Sequence, residues 1–398
     1  MYKNDFPSLR NGQVTYLDTA ASAQKPECVI NAMSHTLTTG YANIHRGLYK
    51  WSQDLTKEYE GVRAKTAAFL GVENKNEIIF TRNSTESINL VAQSWGRKFL
   101  KEGDEVIISE MEHHANIVPW QLLRDEIGIV IKVIPVLNNA TLDMDTYKSL
   151  LSPRTKMVAV VHISNATGVI NNVKEINALA KSYNAEIKVL IDGSQSVVHK
   201  VIHMGDLGCD FFVFTGHKLY GPTGVGVLWG RESLLNTMPP YQGGGDMIDV
   251  VTLEKSTYKD APARFEAGTP AILEVLGLGT AIDYISEQGI QEITSHEAEI
   301  ARYAAEQLSN IDGLTVLGQN TQRIGVSSIL IEGMHTSDVA MILDQMNIAV
   351  RTGHHCCMPL MQRFGIEGTI RASIGMYTDK KDIDHLVMGL KKAKEMLS

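Results

Sequence analysis

The amino-acid sequence predicts an α/β protein in which a large, mainly parallel sheet with helices on both faces precedes a smaller α+β unit. Three observations predict it. From about residue 54 to 230, helical periodicity alternates with short, nearly continuous apolar runs, the texture of strands buried on both faces. After about residue 270 the texture changes to long helices with a few strands. The 398 residues exceed one ordinary core and suit two domains or one large α/β domain with an appendage.

In chain order, "DLTKEYEGVRAKTAAFLG" reads as an amphipathic helix stopped by Gly71. "SINLVAQSWGRKFL" is a second helix, with Ser84 or Thr85 as its N-cap. "DEVIIS", "IVIKVIPV", "KMVAVVHIS", "IKVLIDG", "CDFFVFTG" and "VGVLWG" are buried strands, with "NVKEINALAKSY" as a crossover helix between the third and fourth. "PPYQGGGDMI" (239 to 248) is a glycine-rich loop between the two units. Beyond it come a helical region (271 to 310), strands at "GLTVLG" and "VSSILIEG", and a helix at "TSDVAMILDQMN". Strands at "IAVRTG" and "TIRASIGM" and a closing helix, "KKDIDHLVMGLKKAKEML", complete the unit.

Composition narrows the function. Hydrophobic content of 44% and charged content of 21% are those of a soluble globular chain. A net charge of −8 and a pI near 5.9 argue against nucleic acid or an anionic membrane as the main partner. No apolar run approaches the roughly 20 residues that span a bilayer. The first residues, "MYKNDFPSLRNGQ", hold no apolar signal core, so no export is expected. Four scattered cysteines (Cys28, Cys209, Cys356, Cys357) make no disulfide framework, and a reducing cytoplasm is the expected setting.

The chemistry-bearing positions follow the strands. "IDGSQS" puts Asp192 at the C-terminal end of an apolar run, where open α/β sheets place ligands. "FTGHKLYGPTG" follows another such run and carries Lys218. Each alone reads as an ordinary strand-end acid or solvated lysine. Together they match pyridoxal phosphate chemistry, which needs a lysine for the carbonyl and an acid to keep the ring nitrogen protonated. Phosphate donors are at hand in "TRNSTES", where Ser84 and Thr85 open a helix, and in Thr215 and His217 beside the lysine. "SEMEHHANIVPW" offers His113 and His114 to stack on a flat ring or move protons. Adjacent histidines chelate one ion poorly and lack further ligands at suitable spacing, so no metal is expected. Asn165 in "HISNAT" suits the cofactor's ring oxygen, or is a turn residue. Arg371, in the otherwise apolar "TIRASIG", suits a bidentate carboxylate or a structural ion pair. A bridge between Cys356 and Cys357 is disfavoured, since adjacent Cα atoms lie about 3.8 Å apart and disulfides prefer about 4.4 to 6.8 Å. A reactive thiol and an inert buried cysteine both stay open.

"YLDTAASAQKP", "NIHRGLY", "SEMEHHANIVPWQ", "GHKLYGPTGVGVL", "RFEAGTP" and "RTGHHCCMPLM" together resemble the group II cysteine desulfurases of the SufS type, from Asp18 to the last helix. The resemblance implies a fold-type I pyridoxal phosphate transferase with a seven-stranded-type sheet. Residues 15–283 would form the large domain; 1–14 with 284–398 would form the small one carrying the cysteine loop. It implies a homodimer that converts L-cysteine to L-alanine and passes persulfide sulfur to a SufE-like or SufU-like protein for iron–sulfur cluster assembly. By match, Lys218 is the cofactor-linked lysine and later the proton acceptor, Asp192 the pyridinium partner, Gln195 the contact to the phenolic oxygen and His113 the stacking ring. Thr85, Thr215 and His217 hold phosphate, with Thr269 reaching in from the other subunit. Asn165 and Arg371 hold the substrate carboxylate, while Arg351, His45, Arg46 and His354 line the pocket. Cys356 accepts the sulfur as a thiolate.

Three positions depart from the family pattern. Cys357 stands where alanine is usual, Ala271 where asparagine is common and Ser87 where glycine is usual. Cys357 reads as a small residue tolerated in a tight loop rather than as a thiol that resolves the persulfide. A selenocysteine lyase shares the fold and loop, and turnover on cysteine and selenocysteine separates the two. A related aminotransferase or kynureninase-like enzyme needs no loop thiol. A non-catalytic scaffold needs none of Lys218, Asp192, His113 and Cys356.

Overall fold

The computed structural model describes residues 2–397. Seven strands build the larger sheet: β1 (Ile78–Thr81), β2 (Glu105–Ser109), β3 (Val130–Ile134), β4 (Thr155–Val161), β5 (Lys188–Asp192), β6 (Phe211–Thr215) and β7 (Gly226–Gly230). Their spatial order is β1-β7-β6-β5-β4-β2-β3. Only β7 runs against its neighbours, so the sheet is mixed but mainly parallel. Alternate residues feed two cores. Val106, Ile108, Met157, Ala159, Leu190 and Val213 pack on one face. Ile107, Val158, Val160, Val189, Ile191 and Phe212 pack on the other. Burial on both sides explains why the runs show no polar alternation.

A second, antiparallel sheet holds β8 (Leu314–Val316), β9 (Val326–Ile331), β10 (Arg351–Gly353) and β11 (Thr369–Ser373) in the order β8-β9-β11-β10. Helices Ile290–Ser309, Thr336–Gln345 and Lys380–Leu397 cover it through Ile300, Leu308, Leu343 and Leu390.

All six apolar runs are strands of the large sheet, and β1 is a seventh strand outside them. β1 has four residues, too few for a recognisable period. The span 271–310 is two helices, Ile272–Gln288 and Ile290–Ser309, parted by Gly289 at φ 79°. "IAVRTG" divides. Ile348–Ala349 pairs in parallel with Thr15–Tyr16, while Arg351–Gly353 joins the small sheet. The glycine-rich loop does not join the two units. It runs into a hairpin (Ile248–Val251 with Ser256–Tyr258), and Gly245 O accepts from Gly268 N (2.9 Å). "SINLVAQSWGRKFL" is α-helical from Ser84 to Leu90 and widens to a π turn over Val91–Gly96.

One buried ion cluster pins the loop that carries Thr269. Arg63, 2% exposed, donates to both oxygens of Glu266 (2.6 and 2.8 Å) and to Glu60. Glu266 also accepts the Phe80 N–H of β1 (2.8 Å), which fixes the start of the Ala267-Gly268-Thr269 turn. Arg63→Ala strands Glu266 and is expected to cost about 3–5 kcal/mol. Chemical denaturation measures it, and a loss under about 1 kcal/mol would contradict the pinning role.

Candidate active site

Parallel strands end at one edge, and the register aligns Val161 with Asp192 and Asp192 with Val213. The segments leaving β2, β4, β5 and β6 therefore meet in one cleft, as open α/β sheets require. Lys218, His113, Asn165, Asp192, Gln195 and Ser84 all line it.

Lys218 follows β6 on a single 3-10 turn, Gly216–Lys218. Burial pushes its ammonium down to about 8, against the partial support of Asp192. In the cofactor-free chain the buried charge therefore opposes folding. The sign is that of a depressed lysine: the cost is full below pH 8 and vanishes above the ordinary 10.5. Lys218→Met is expected to stabilise the apoprotein by on the order of 3 kcal/mol at pH 7, with the gain fading as pH rises past 10.5. Denaturation midpoints at pH 7 and 11 test it; an equal gain at both would refute the assignment.

Asp192 accepts one hydrogen bond, from Ser194 N at 2.9 Å, and keeps its second oxygen for another donor. His113 Nδ1 accepts from Ala115 N (3.1 Å), which puts the ring proton on Nε2. Burial and the Lys218 charge hold this imidazole down to about 4, so its face is neutral at ordinary pH. Behind it Glu112 is fully buried, bonded by Ser109 Oγ (2.5 Å), Asn116 Nδ2 (2.8 Å) and Val161 N (3.0 Å). Desolvation pushes that carboxyl up to about 8. Gln195 Nε2 donates to Ala20 O (2.9 Å).

The helix at the cleft edge is capped by Asn83, not by Ser84 or Thr85. Asn83 Oδ1 accepts from Glu86 N (2.9 Å) while Glu86 Oε2 accepts from Arg82 N (2.6 Å). The extended Asn83 backbone is what a cap requires, and it leaves Ser84 and Thr85 as the first helical residues. Gly226 of β7 permits the approach, since a Cβ there would sit 2.4 Å from the Asn83 carbonyl carbon. Ser87 does not disturb this start; its Oγ lies 2.8 Å from Thr81 Oγ1. Ala271, before Ile272–Gln288, supplies no side-chain cap.

The cysteine loop closes the cleft from the side of the small sheet. His355 (φ 51°) and Cys356 (φ 58°) are left-handed in succession. His114 N donates to Cys356 O (2.8 Å), and His114 Nε2 accepts from Met358 N (3.1 Å). Asn165 Nδ2 donates to His355 O (2.7 Å), and His354 Nδ1 accepts from Cys356 N (3.0 Å). The Cys356 thiol is half-exposed, 3.8 Å from Arg351 Nη2. Cys357 is fully buried, with Sγ 3.2 Å from Asn165 Oδ1, and burial pushes its thiol up to about 12. That is the inert cysteine of the pair. Arg371 pairs with Asp18 (2.8 Å) and donates to Asn165 O, while its buried Nε has no partner among the described residues.

Two groups of the sequence-predicted site residues stand apart. Lys218, Asp192, Gln195, His113 and Asn165 share one cleft, which the Cys356 loop flanks. His45, Arg46 and Thr269 gather elsewhere: His45 Nδ1 lies 3.1 Å from Asp246, Arg46 reaches the same carboxylate, and Thr269 lines a pocket with Arg46 and Asp246. His114, Asp18 and Glu112 were not assigned these positions by sequence reasoning. The His113-His114 doublet was the available signal for a latch.

The cleft fits a flat phosphorylated cofactor. Buried Thr215 Oγ1 and Ser194 Oγ have no partner among the described residues, and Asp192 has an oxygen to spare. Among the described residues no cluster of His, Cys, Asp or Glu could hold a metal ion.

Sheet order, buried lysine and strand-end aspartate together define a fold-type I enzyme. The chain belongs to the class V aminotransferase family, whose model matches residues 15–386. A cysteine desulfurase of Yersinia pestis (strain Pestoides F) is 47% identical over 398 residues, covering 99% of this chain and 97% of the relative. The crystal structure of the Escherichia coli cysteine desulfurase CsdA (S-sulfonic acid) superposes with a TM-score of 0.94 at 36% identity, covering 100% of this chain and 98% of that one. The apo cysteine desulfurase of Thermococcus onnurineus NA1 gives 0.93 at 35%, covering 99% and 97%.

Proposed function

We propose that this protein is a pyridoxal phosphate-dependent cysteine desulfurase of the SufS type. L-Cysteine and the Cys356 thiol yield L-alanine and a Cys356 persulfide: the substrate C–S bond breaks and an S–S bond forms. What supports the reading most is the tethering of the Cys356 loop to the walls of the Lys218 cleft through His114 and Asn165.

When bound, the cofactor supplies an electron sink for loss of the α-proton and for C–S cleavage. Thr85, Thr215 and His217 hold its phosphate, Asp192 its ring nitrogen, Gln195 its phenolic oxygen and His113 its face. Lys218, depressed to about 8 by burial, accepts and returns a proton near neutral pH. Arg371, through its unpartnered Nε, and Asn165 hold the substrate carboxylate. Arg351 lies beside the sulfur, where an anionic thiolate or persulfide gains from the guanidinium.

The chain divides into a large domain, 15–283, and a small one, 1–14 with 284–398. It acts as a cytoplasmic homodimer in which Thr269, with His45 and Arg46 beside it, completes the other subunit's pocket. The persulfide sulfur passes to the thiol of a SufE- or SufU-type acceptor for iron–sulfur cluster assembly. No described helix is long and apolar enough to cross a membrane.

The direct test is incubation of the cofactor-loaded protein with L-cysteine and a thiol. Alanine and sulfide in equal amounts are expected, and absence of alanine would refute the reading.

A further inference from the structure

β4 leads into Val161-His162-Ile163, and neighbours along an extended chain point to opposite sides. Val161 and Ile163 line the Lys218 cleft. His162 instead lines a separate cavity of about 440 Å3. That size falls within the roughly 300–1,000 Å3 of small-molecule sites.

His162 is 5% exposed, and its Nδ1 has no hydrogen-bond partner among the described residues. Its main chain is already committed: the N–H donates to Asp192 O and the carbonyl accepts from Asn171 N, both at 2.9 Å. A buried ring nitrogen without a partner is costly, so the ring is held here against a polar penalty while its edge lines the cavity. Two lysines flank the same space, Lys174 and Lys200. Lys200 is half-buried and forms no ion pair among the described residues. Lys174 lies 3.6 Å from Asp206, a solvated pair of little strength. Burial, then both ammonium groups, hold the His162 ring near 4, so it is neutral and offers one donor and one acceptor. The 11-residue helix Val173–Tyr183 starts here, with its positive end toward the cavity. Asn172 caps only the Glu175 N–H (3.3 Å). Ile170, Val173 and Leu207 supply an apolar wall.

We propose that this cavity is a second binding site, separate from the cofactor cleft, for a small molecule bearing a phosphate or carboxylate group. Lys200 and Lys174 take the oxyanion, His162 supplies a directional hydrogen bond, and the apolar wall receives the body of the ligand. The site lies one residue from the active cleft along the segment leaving β4, and His162 N–H holds the Asp192 carbonyl.

Calorimetric titration of the holoenzyme, whose own phosphate cup is filled by cofactor, tests this. Inorganic phosphate is used in one arm and malonate in another, at constant ionic strength. Saturable binding of at least one is expected, and the arm that saturates distinguishes phosphate from carboxylate. Lys200→Ala and Lys174→Ala should each weaken it tenfold or more while leaving anion-free cysteine turnover unchanged. Two variants keep the test open should one fold poorly. No saturable binding of either anion at millimolar concentration, or binding unaltered in both variants, would overturn the proposal.

Discussion

Cys356→Ser is expected to lower alanine production from L-cysteine by on the order of 1,000-fold or more, with cofactor binding retained. A serine hydroxyl is a far weaker nucleophile and forms no persulfide. The side chain is half-exposed and makes no contact that packing depends on, so the variant should fold. Its partner Cys357 gives the contrast. That thiol is sealed beneath the loop and held up to about 12 by burial, so Cys357→Ala should leave turnover within a few-fold. Alanine release at saturating cysteine, with trapping of the sulfane sulfur, reads both. Full turnover in Cys356→Ser would remove the thiol from the mechanism.

Lys218→Ala should cost on the order of 10,000-fold in turnover, since one amine serves as both cofactor anchor and proton carrier. The environment supports the second duty: burial brings the amine to about 8, where it exchanges a proton near neutral pH, and no other lysine lines the cleft. An added small primary amine should recover part of the proton transfer, whereas a purely structural lysine would show no such rescue. More than a tenth of the original rate in Lys218→Ala would argue against both duties.

Most of the fold could be read in the chain because double-faced burial leaves uninterrupted apolar runs, as in Phe211–Thr215. β1 escaped notice because four residues carry no period, and Gly289 was passed over because a single left-handed residue can turn a chain between helices without a composition shift. At the site, Asp192 was legible because it ends a strand and Lys218 because it follows one by three residues. The Asn83 cap was missed because Asn, Ser and Thr stand in a row, and only the backbone angle selects among them. His114 looked like a second copy of His113. That it latches the cysteine loop depends on a segment more than two hundred residues away, which local spacing cannot report.

Two successive non-glycine residues in left-handed backbone, His355 and Cys356, have a price in stability of about 1 kcal/mol or more each. Glycine would sit there more comfortably, so Cys356→Gly should raise the unfolding midpoint while ending sulfur transfer. Natural selection acting on thermal robustness and natural selection acting on sulfur supply thus pull this codon in opposite directions. In a lineage relieved of the need to mobilise sulfur, this is the position where the reactive thiol should disappear first.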